Sequence, residues 1–120
     1  MTPHIMRLLI LLATLSTAAL GIGGGIPLMR RKIAPNYSYG FRTQVTMTDP
    51  EIWYRVNEYF GRLMVRWMSL FFLFAVTLYF PRGISDDAYF LIASGGLVLT
   101  LLVVCTASFL YYRSIIKQEQ

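Results

Sequence analysis

The chain has 120 residues, of which 56% are hydrophobic and only 14% are charged, and its mean hydropathy is +0.53. About a quarter of the residues in a soluble domain are charged, so this composition excludes an ordinary soluble domain and predicts one short domain of helices in a bilayer. The formal charge of +5 indicates membrane topology rather than nucleic-acid binding, and the single Cys105 lies inside an apolar run, which leaves no disulfide within one chain.

The first apolar run covers residues 5–29, and a helix of about 25 residues would measure roughly 37 Å, enough to cross a bilayer. A signal peptide is the alternative, since Arg7 precedes a leucine-rich stretch. We favour a transmembrane helix, because a basic cluster follows the run, whereas a cleaved signal carries its positive charge in front. Small residues at every fourth position predict a face for close helix packing, made of Ala13, Thr17, Gly21 and Gly25.

Residues 30–62 are predicted to form a structured loop at the membrane surface and then an amphipathic interfacial helix. The loop has no sustained helical period. The helix is expected to start at Thr48, where Thr48 and Glu51 have the spacing of a capping box around a proline in the first turn. Beyond the cap, one stripe of this helix has a spacing of four residues and carries Trp53, Asn57 and Gly61.

The rest of the sequence predicts two further spans, at residues 63–80 and 88–112, joined by a short turn. The turn requires the third helix to return antiparallel beside the second. Ser85 is expected to cap that third helix, ahead of two aspartates at its positive end. Gly96 lies with other small residues on one side of the third span, which again predicts helix packing. The predicted fold class is therefore an all-α membrane protein with three transmembrane helices.

The basic residues predict an orientation. In a three-span arrangement, Arg7 and Arg82 fall on one side of the membrane. Eight others fall on the opposite side, in the first loop or at the C-terminus, and they are Arg30, Arg31, Lys32, Arg42, Arg55, Arg62, Arg113 and Lys117. Since lysine and arginine concentrate in cytoplasmic segments, we expect the loop and the C-terminus in the cytoplasm and the N-terminus outside.

Four basic residues are predicted to form a cluster that faces lipid, namely Arg30, Arg31, Lys32 and Arg66. Each such residue contributes on the order of 1 kcal/mol at an anionic membrane surface. Arg66 lies about 4.5 Å along the helix axis beyond Leu63, so its side chain can snorkel back to the interface. The alternatives are that the three consecutive residues only mark topology and that Arg66 pairs with Glu58 or Glu51.

The polar segment between the first two spans supplies the candidate residues for binding a ligand or partner, which are Asn36, Tyr39, Gly40, Arg42, Thr43, Trp53 and Asn57. Two interpretations of this set stay open. In the first, turn-forming and aromatic residues fold the loop onto the membrane surface. In the second, Arg42, Thr43 and Asn57 converge on a phosphate or a carboxylate, which guanidinium and hydroxyl donors suit.

The sequence contains no pattern typical of catalysis or of cofactor binding. His4 is the only histidine, and Asp86 and Asp87 are adjacent rather than spaced to meet across a substrate. Neither a nucleophile with a base, nor a phosphate-binding glycine loop, nor a metal-ligand spacing is present. We therefore expect a protein that is not an enzyme and that needs no cofactor or metal.

The polar segment carries a series of motifs in a fixed order. They are Ile33-Ala34-Pro35-Asn36, Tyr39-Gly40-Phe41-Arg42-Thr43, an acidic helix cap, and Trp53-Tyr54-Arg55-Val56-Asn57 with Gly61. With these motifs the segment resembles the SdpI-type family of small bacterial membrane proteins. It departs from the family pattern at Gln44, where a proline is common, and at Glu58, where a basic residue is common. The resemblance implies a bacterial inner-membrane protein. The best-known member is larger, confers immunity to a secreted toxin and sequesters a transcriptional repressor at the membrane.

The expected function is thus non-catalytic immunity against a membrane-active toxin, or membrane signalling through the cytoplasmic loop. The expected partners are anionic lipid headgroups, together with a toxin peptide, a repressor or other membrane subunits. An accessory subunit of a larger membrane complex is the alternative, with the stripes of small residues packed against partner helices.

Overall fold

The computed structural model describes residues 2–119, which form four helices and, within that range, no strand. The helices are α1 (Pro3–Met29), α2 (Gln44–Thr48), α3 (Pro50–Tyr79) and α4 (Asp86–Glu119). Helices α1, α3 and α4 are each long and apolar enough to cross a membrane. This confirms the predicted all-α fold with three membrane-spanning helices.

Helix α3 is the centre of the bundle. It packs along both α1 and α4, whereas α1 and α4 contact each other much less. The bundle is elongated, with extents of 56 × 23 × 19 Å. We call the end that carries residues 30–49 and the C-terminal turns of α4 the loop end, and the end that carries residues 80–85 and the start of α1 the hairpin end.

Helix α3 differs from the sequence prediction in two ways. Its 30 residues form one continuous helix, so the amphipathic segment is the loop-end half of α3 rather than a separate interfacial helix. The N-cap is Asp49 instead of Thr48, and one carboxylate oxygen of Asp49 accepts from the amides of Glu51 and Ile52 at 3.0 and 3.4 Å. Thr48 is the last residue of α2, a short helix that precedes this cap.

Helices α1 and α3 approach most closely at Gly25 and Gly61. A methyl carbon added at Gly25 would lie 2.9 Å from the carbonyl oxygen of Gly61, so the two main chains are in contact. Closer to the hairpin end, Gly21 packs against the side chain of Met68. Small residues at these positions let the helices approach without a side chain between them.

The buried face of α1 is rotated from the predicted stripe at the hairpin-end half of the helix. Thr14 and Ala18 are buried there, whereas Ala13 and Thr17 are exposed. The reason is geometric, since steps of exactly four residues drift by about 40° each around a helix with 3.6 residues per turn. The face that meets α3 instead advances by three or four residues and contains Thr14, Ala18, Gly21, Gly25 and Leu28.

Helix α4 completes the bundle on the other side of α3. Gly96 lies against the ring of Phe74, which would be 3.2 Å from an added methyl carbon. At the loop end, Ile115 packs with Ile52 and Val56 in a small buried core. The start of α4 agrees with the prediction, because the Ser85 hydroxyl accepts from the amide of Ala88 at 3.1 Å.

Candidate functional site

The side chain of Asn57 connects the polar loop to α3. Its Oδ1 accepts from the amide of Phe41 at 2.6 Å, and its Nδ2 donates to the carbonyl oxygen of Phe41 at 3.1 Å. The second hydrogen of Nδ2 is directed to the carbonyl oxygen of Trp53 at 3.0 Å. Asn57 is only 1% exposed, so each of these bonds is protected from water. The side-chain amide of Asn57 thereby bonds to both the N–H and the C=O of one loop residue, the pattern by which a neighbouring β-strand pairs.

Gly40 makes this contact geometrically feasible. Its φ is +106°, a conformation that residues with a Cβ rarely adopt. A methyl carbon here would lie 2.7 Å from Oδ1 of Asn57 and 3.2 Å from the ring of Trp53. The glycine therefore allows the loop backbone both to turn and to lie directly on α3.

Two aromatic side chains hold the ends of the same segment. Trp53 is fully buried, and its indole Nε1 donates to the carbonyl oxygen of Ile33 at 2.8 Å. Tyr39 lies over Gly24 of α1, where an added methyl carbon would be 3.3 Å from the phenol oxygen. Burial raises the pKa of the Tyr39 phenol above its ordinary value, because the charged form would lose solvation. We call Gly40, Phe41, Trp53 and Asn57 the loop lock.

Asn36 and Thr43 bond within the loop itself. Asn36 forms a local turn, with Nδ2 donating to the carbonyl oxygen of Ala34 and Oδ1 accepting from the amide of Ser38. The Thr43 hydroxyl accepts from the amide of Thr46 at 3.1 Å, and the Thr46 hydroxyl accepts from the amide of Thr43 at 2.7 Å. This reciprocal pair is a capping box, at the start of α2 rather than at Thr48.

Arg42 differs from the other polar candidate residues because its side chain is exposed and unbonded within residues 2–119. It follows Phe41 directly, is exposed, and has no hydrogen bond or ion pair from its guanidinium to any residue between 2 and 119. The structure therefore brings the candidate residues together as a folded surface whose internal bonds use the polar groups of Asn36, Thr43, Trp53 and Asn57. The five donors of Arg42 remain available to a molecule outside the chain.

Of the four residues in the predicted basic cluster, only Arg31 takes part in an ion-pair network in the described part of the chain. Arg31 donates from Nε to Glu58 at 2.7 Å, and the other oxygen of Glu58 accepts from Arg62 at 2.9 Å. This bond to Glu58 raises the pKa of the Arg31 guanidinium. Arg30, Lys32 and Arg66 are exposed and, among the residues that the structure describes, form no ion pair.

Arg31 also ends α1. Its φ of 58° is left-handed, which costs a residue other than glycine about 1 to 3 kcal/mol. The next amide, of Lys32, donates to the carbonyl oxygen of Pro27 at 2.9 Å, and that of Arg31 donates to Leu28 at 3.2 Å. These two bonds are the Schellman arrangement that satisfies carbonyls at a helix end. The turn directs Arg31 toward Glu58 on α3.

The hairpin end contains an ion pair that was not predicted from the sequence. Arg7 donates from Nε to Asp86 at 2.9 Å, and its Nη atoms donate to the carbonyl oxygens of Pro81 and Ile84. The guanidinium also lies over the ring of Tyr89. These contacts attach α1 to the turn before α4. A lone arginine near the start of an apolar run needs a counterion, and this requirement is the signal that could have indicated an acidic partner, although not which residue it is.

The described residues contain no group of three histidine, cysteine or acidic side chains placed to hold a metal ion. The three long apolar helices and the folded polar loop define a class: an integral membrane protein that crosses the bilayer more than once. The chain belongs to the SdpI/YfhL protein family, whose model matches residues 32–112. That range starts after α1 and includes the loop, α3 and most of α4. Comparisons with curated proteins and with solved structures gave no match.

Proposed function

We propose that this protein is a non-catalytic immunity protein of a bacterial inner membrane, which protects the cell against a membrane-active toxin and signals through its polar loop. Membership of the SdpI/YfhL family and three helices that can cross a membrane support this proposal. The observation that carries it is the exposed guanidinium of Arg42, which bonds to no residue between 2 and 119 and lies next to Thr43, whose side chain bonds within the loop.

The loop lock holds the backbone next to Arg42 in place. Asn57 bonds both the amide N–H and the carbonyl oxygen of Phe41, and the Phe41 ring packs near Tyr112 with centroids 5.6 Å apart. Because Arg42 directly follows Phe41, the backbone of Arg42 has little conformational freedom. A guanidinium on an ordered backbone suits a carboxylate or phosphate on a partner, because less backbone entropy is lost on binding.

Replacing Arg42 by alanine tests the role of this loop. The protein is expressed in a host that lacks it, and the cells are challenged with a panel of purified bacterial peptides that permeabilise membranes. We expect wild type to protect against at least one peptide, and survival to fall by roughly tenfold or more in Arg42→Ala. This follows because hydrogen bonds to a charged group contribute about 1.5 to 3 kcal/mol.

Arg113→Ala is the matched control, since it removes an exposed arginine from the same end of the bundle without touching the loop. This variant should protect as well as wild type. Immunity is contradicted if wild type protects against no peptide of the panel. Full protection by Arg42→Ala would show that Arg42 is not the contact residue.

The proposed orientation places the loop end in the cytoplasm and the N-terminus outside. Eight basic residues lie at the loop end and two, Arg7 and Arg82, at the hairpin end. This asymmetry supports a cytoplasmic loop, because positively charged segments are retained on that side.

Cysteine labelling measures the orientation. In a Cys105→Ser background, Ser38→Cys and Gly83→Cys place single thiols at exposed positions of the two ends. Nothing lies within 4 Å of a methyl carbon at Gly83, so the second change fits without strain from neighbours. We expect a membrane-impermeant thiol reagent to label Gly83→Cys in intact cells and Ser38→Cys only after permeabilisation. Labelling of Ser38→Cys in intact cells would reverse the orientation.

An accessory subunit of a larger membrane complex is the second candidate function. It is favoured by a cleft of about 350 Å³ between α1 and α4, lined by apolar and small side chains that include Ala13, Thr17 and Leu97. A helix of another subunit could pack there, since small residues permit close approach. Extraction in a gentle detergent followed by sizing separates the two candidates, because a small particle of this chain alone contradicts a stable complex.

A further inference from the structure

One face of α3 carries a row of charged residues that runs from the loop end into the apolar half of the helix. Glu58, Arg62 and Arg66 are spaced by four residues, and Leu70 continues the row. Residues four apart on a helix are neighbours on the same face, with about 5 to 6 Å between their Cβ atoms. Arg62 and Arg66 therefore lie side by side.

The carboxylate of Glu58 is shared between two cations. Its Oε2 binds Arg31 at 2.7 Å and its Oε1 binds Arg62 at 2.9 Å, so Arg62 is only partly compensated. Arg66 has no acidic partner within residues 2–119 and is exposed. Two like charges one turn apart repel each other. An anion between the two guanidinium groups would remove this repulsion.

The depth of Arg66 indicates which kind of anion fits. Gly61 packs against the main chain of Gly25 and Met29 at the end of α1, and Arg66 lies about 7.5 Å further along the axis toward the hairpin end. The surface beyond it is apolar, with Leu70 and Leu73 52% and 62% exposed. An arginine at this depth reaches the interface by snorkelling, where lipid headgroups lie.

We propose that Arg62 and Arg66 bind the phosphate of an anionic phospholipid, with an acyl chain of that lipid along Leu70 and Leu73. The planar guanidinium groups offer paired donors that match phosphate oxygens. Glu58 occupies one side of Arg62 and leaves its other donors free. A free phosphate could satisfy the two charges, but it would gain nothing from the apolar surface beyond Arg66. The site is independent of the role proposed for Arg42.

The test is a lipid titration of the purified full-length protein, followed by native mass spectrometry. Phosphatidylglycerol is the anionic probe and phosphatidylcholine the neutral one. We expect wild type to prefer phosphatidylglycerol, and its affinity to fall roughly fivefold in Arg66→Gln and again in the double variant Arg62→Gln/Arg66→Gln. Arg66→Lys should bind more tightly than Arg66→Gln, because it keeps the charge. Circular dichroism checks that each variant is helical.

Arg113→Gln is the matched control, because Arg113 is an exposed cation at the same end, on α4, in contact with the ring of Phe109. It should retain the wild-type preference. An equal loss in Arg113→Gln and Arg66→Gln would overturn the proposal in favour of general surface attraction. Displacement of phosphatidylglycerol by soluble glycerol phosphate would also overturn it, since the site would then need no acyl chain.

Discussion

Replacing Gly61 by alanine is expected to lower the free energy of unfolding by roughly 1 to 3 kcal/mol, the usual cost of overpacking a tight contact. The added methyl carbon would lie 2.5 Å from the carbonyl oxygen of Gly25 and 2.7 Å from the amide nitrogen of Met29. Both are main-chain atoms of α1 and cannot rotate away. The two helices would have to separate, and the residues around the contact would lose van der Waals attraction.

Two further glycine variants distinguish the effect of the contact between Gly61 and α1 from the effect that a glycine-to-alanine change has in any helix. Gly21→Ala meets the flexible side chain of Met68, with Cγ at 2.7 Å, so its cost should be smaller. Gly95→Ala is the matched control, because nothing lies within 4 Å of the new methyl carbon. Alanine is favoured over glycine in a helix by about 1 kcal/mol, so this variant should be as stable as wild type or slightly more stable.

Thermal unfolding in detergent, followed by circular dichroism, measures the series. The melting temperature should be lowest for Gly61→Ala, intermediate for Gly21→Ala and unchanged or higher for Gly95→Ala. Equal melting temperatures for Gly61→Ala and Gly95→Ala would contradict the contact between the main chains of α1 and α3.

The three membrane-spanning helices could be predicted because their signals are local. Length and hydrophobicity identify a span without knowledge of its neighbours, and the Ser85 cap depends on residues within one turn. The first residue of α3 could not be predicted in this way, because Thr48 and Asp49 are both residue types that are preferred at a helix N-cap. The structure selects Asp49, since α2 occupies the residues up to Thr48. Helix α2 has five residues and a buried Thr46, so it depends on tertiary contacts rather than on a periodic pattern.

The details of packing and pairing could not be predicted for a different reason. The buried face of α1 depends on how the helix crosses α3, which the sequence of α1 alone does not determine. The Arg7 to Asp86 ion pair joins residues 79 positions apart. For the candidate set that contains Asn57, the sequence left open whether it only folds the loop onto the membrane surface or converges on a ligand. Only the fold shows that Oδ1 and one Nδ2 hydrogen of Asn57 bond to the Phe41 backbone.

Replacing Asn57 by alanine is expected to open the loop and to expose the peptide bond after Arg42 to trypsin. The variant loses both hydrogen bonds to Phe41 and leaves the amide N–H and the carbonyl oxygen of Phe41 without a partner. Two bonds at about 1 kcal/mol each, plus the cost of the unsatisfied groups, give about 2 to 3 kcal/mol. Cleavage follows the population of the open form when opening is fast, so we expect a rate increase of roughly 30- to 150-fold.

Asn36→Ala is the matched control for this change, because it also removes two hydrogen bonds from an asparagine of the same loop. Those bonds lie at the surface and join neighbouring residues, so water can replace them and cleavage after Arg42 should rise much less. Cleavage is measured in detergent by mass spectrometry of the peptides, and hydrogen exchange at the Phe41 amide provides a second readout. If Asn57→Ala and Asn36→Ala are cut at the same rate, Asn57 does not hold the loop on α3. The exposed position of Arg42 would then not depend on the loop lock.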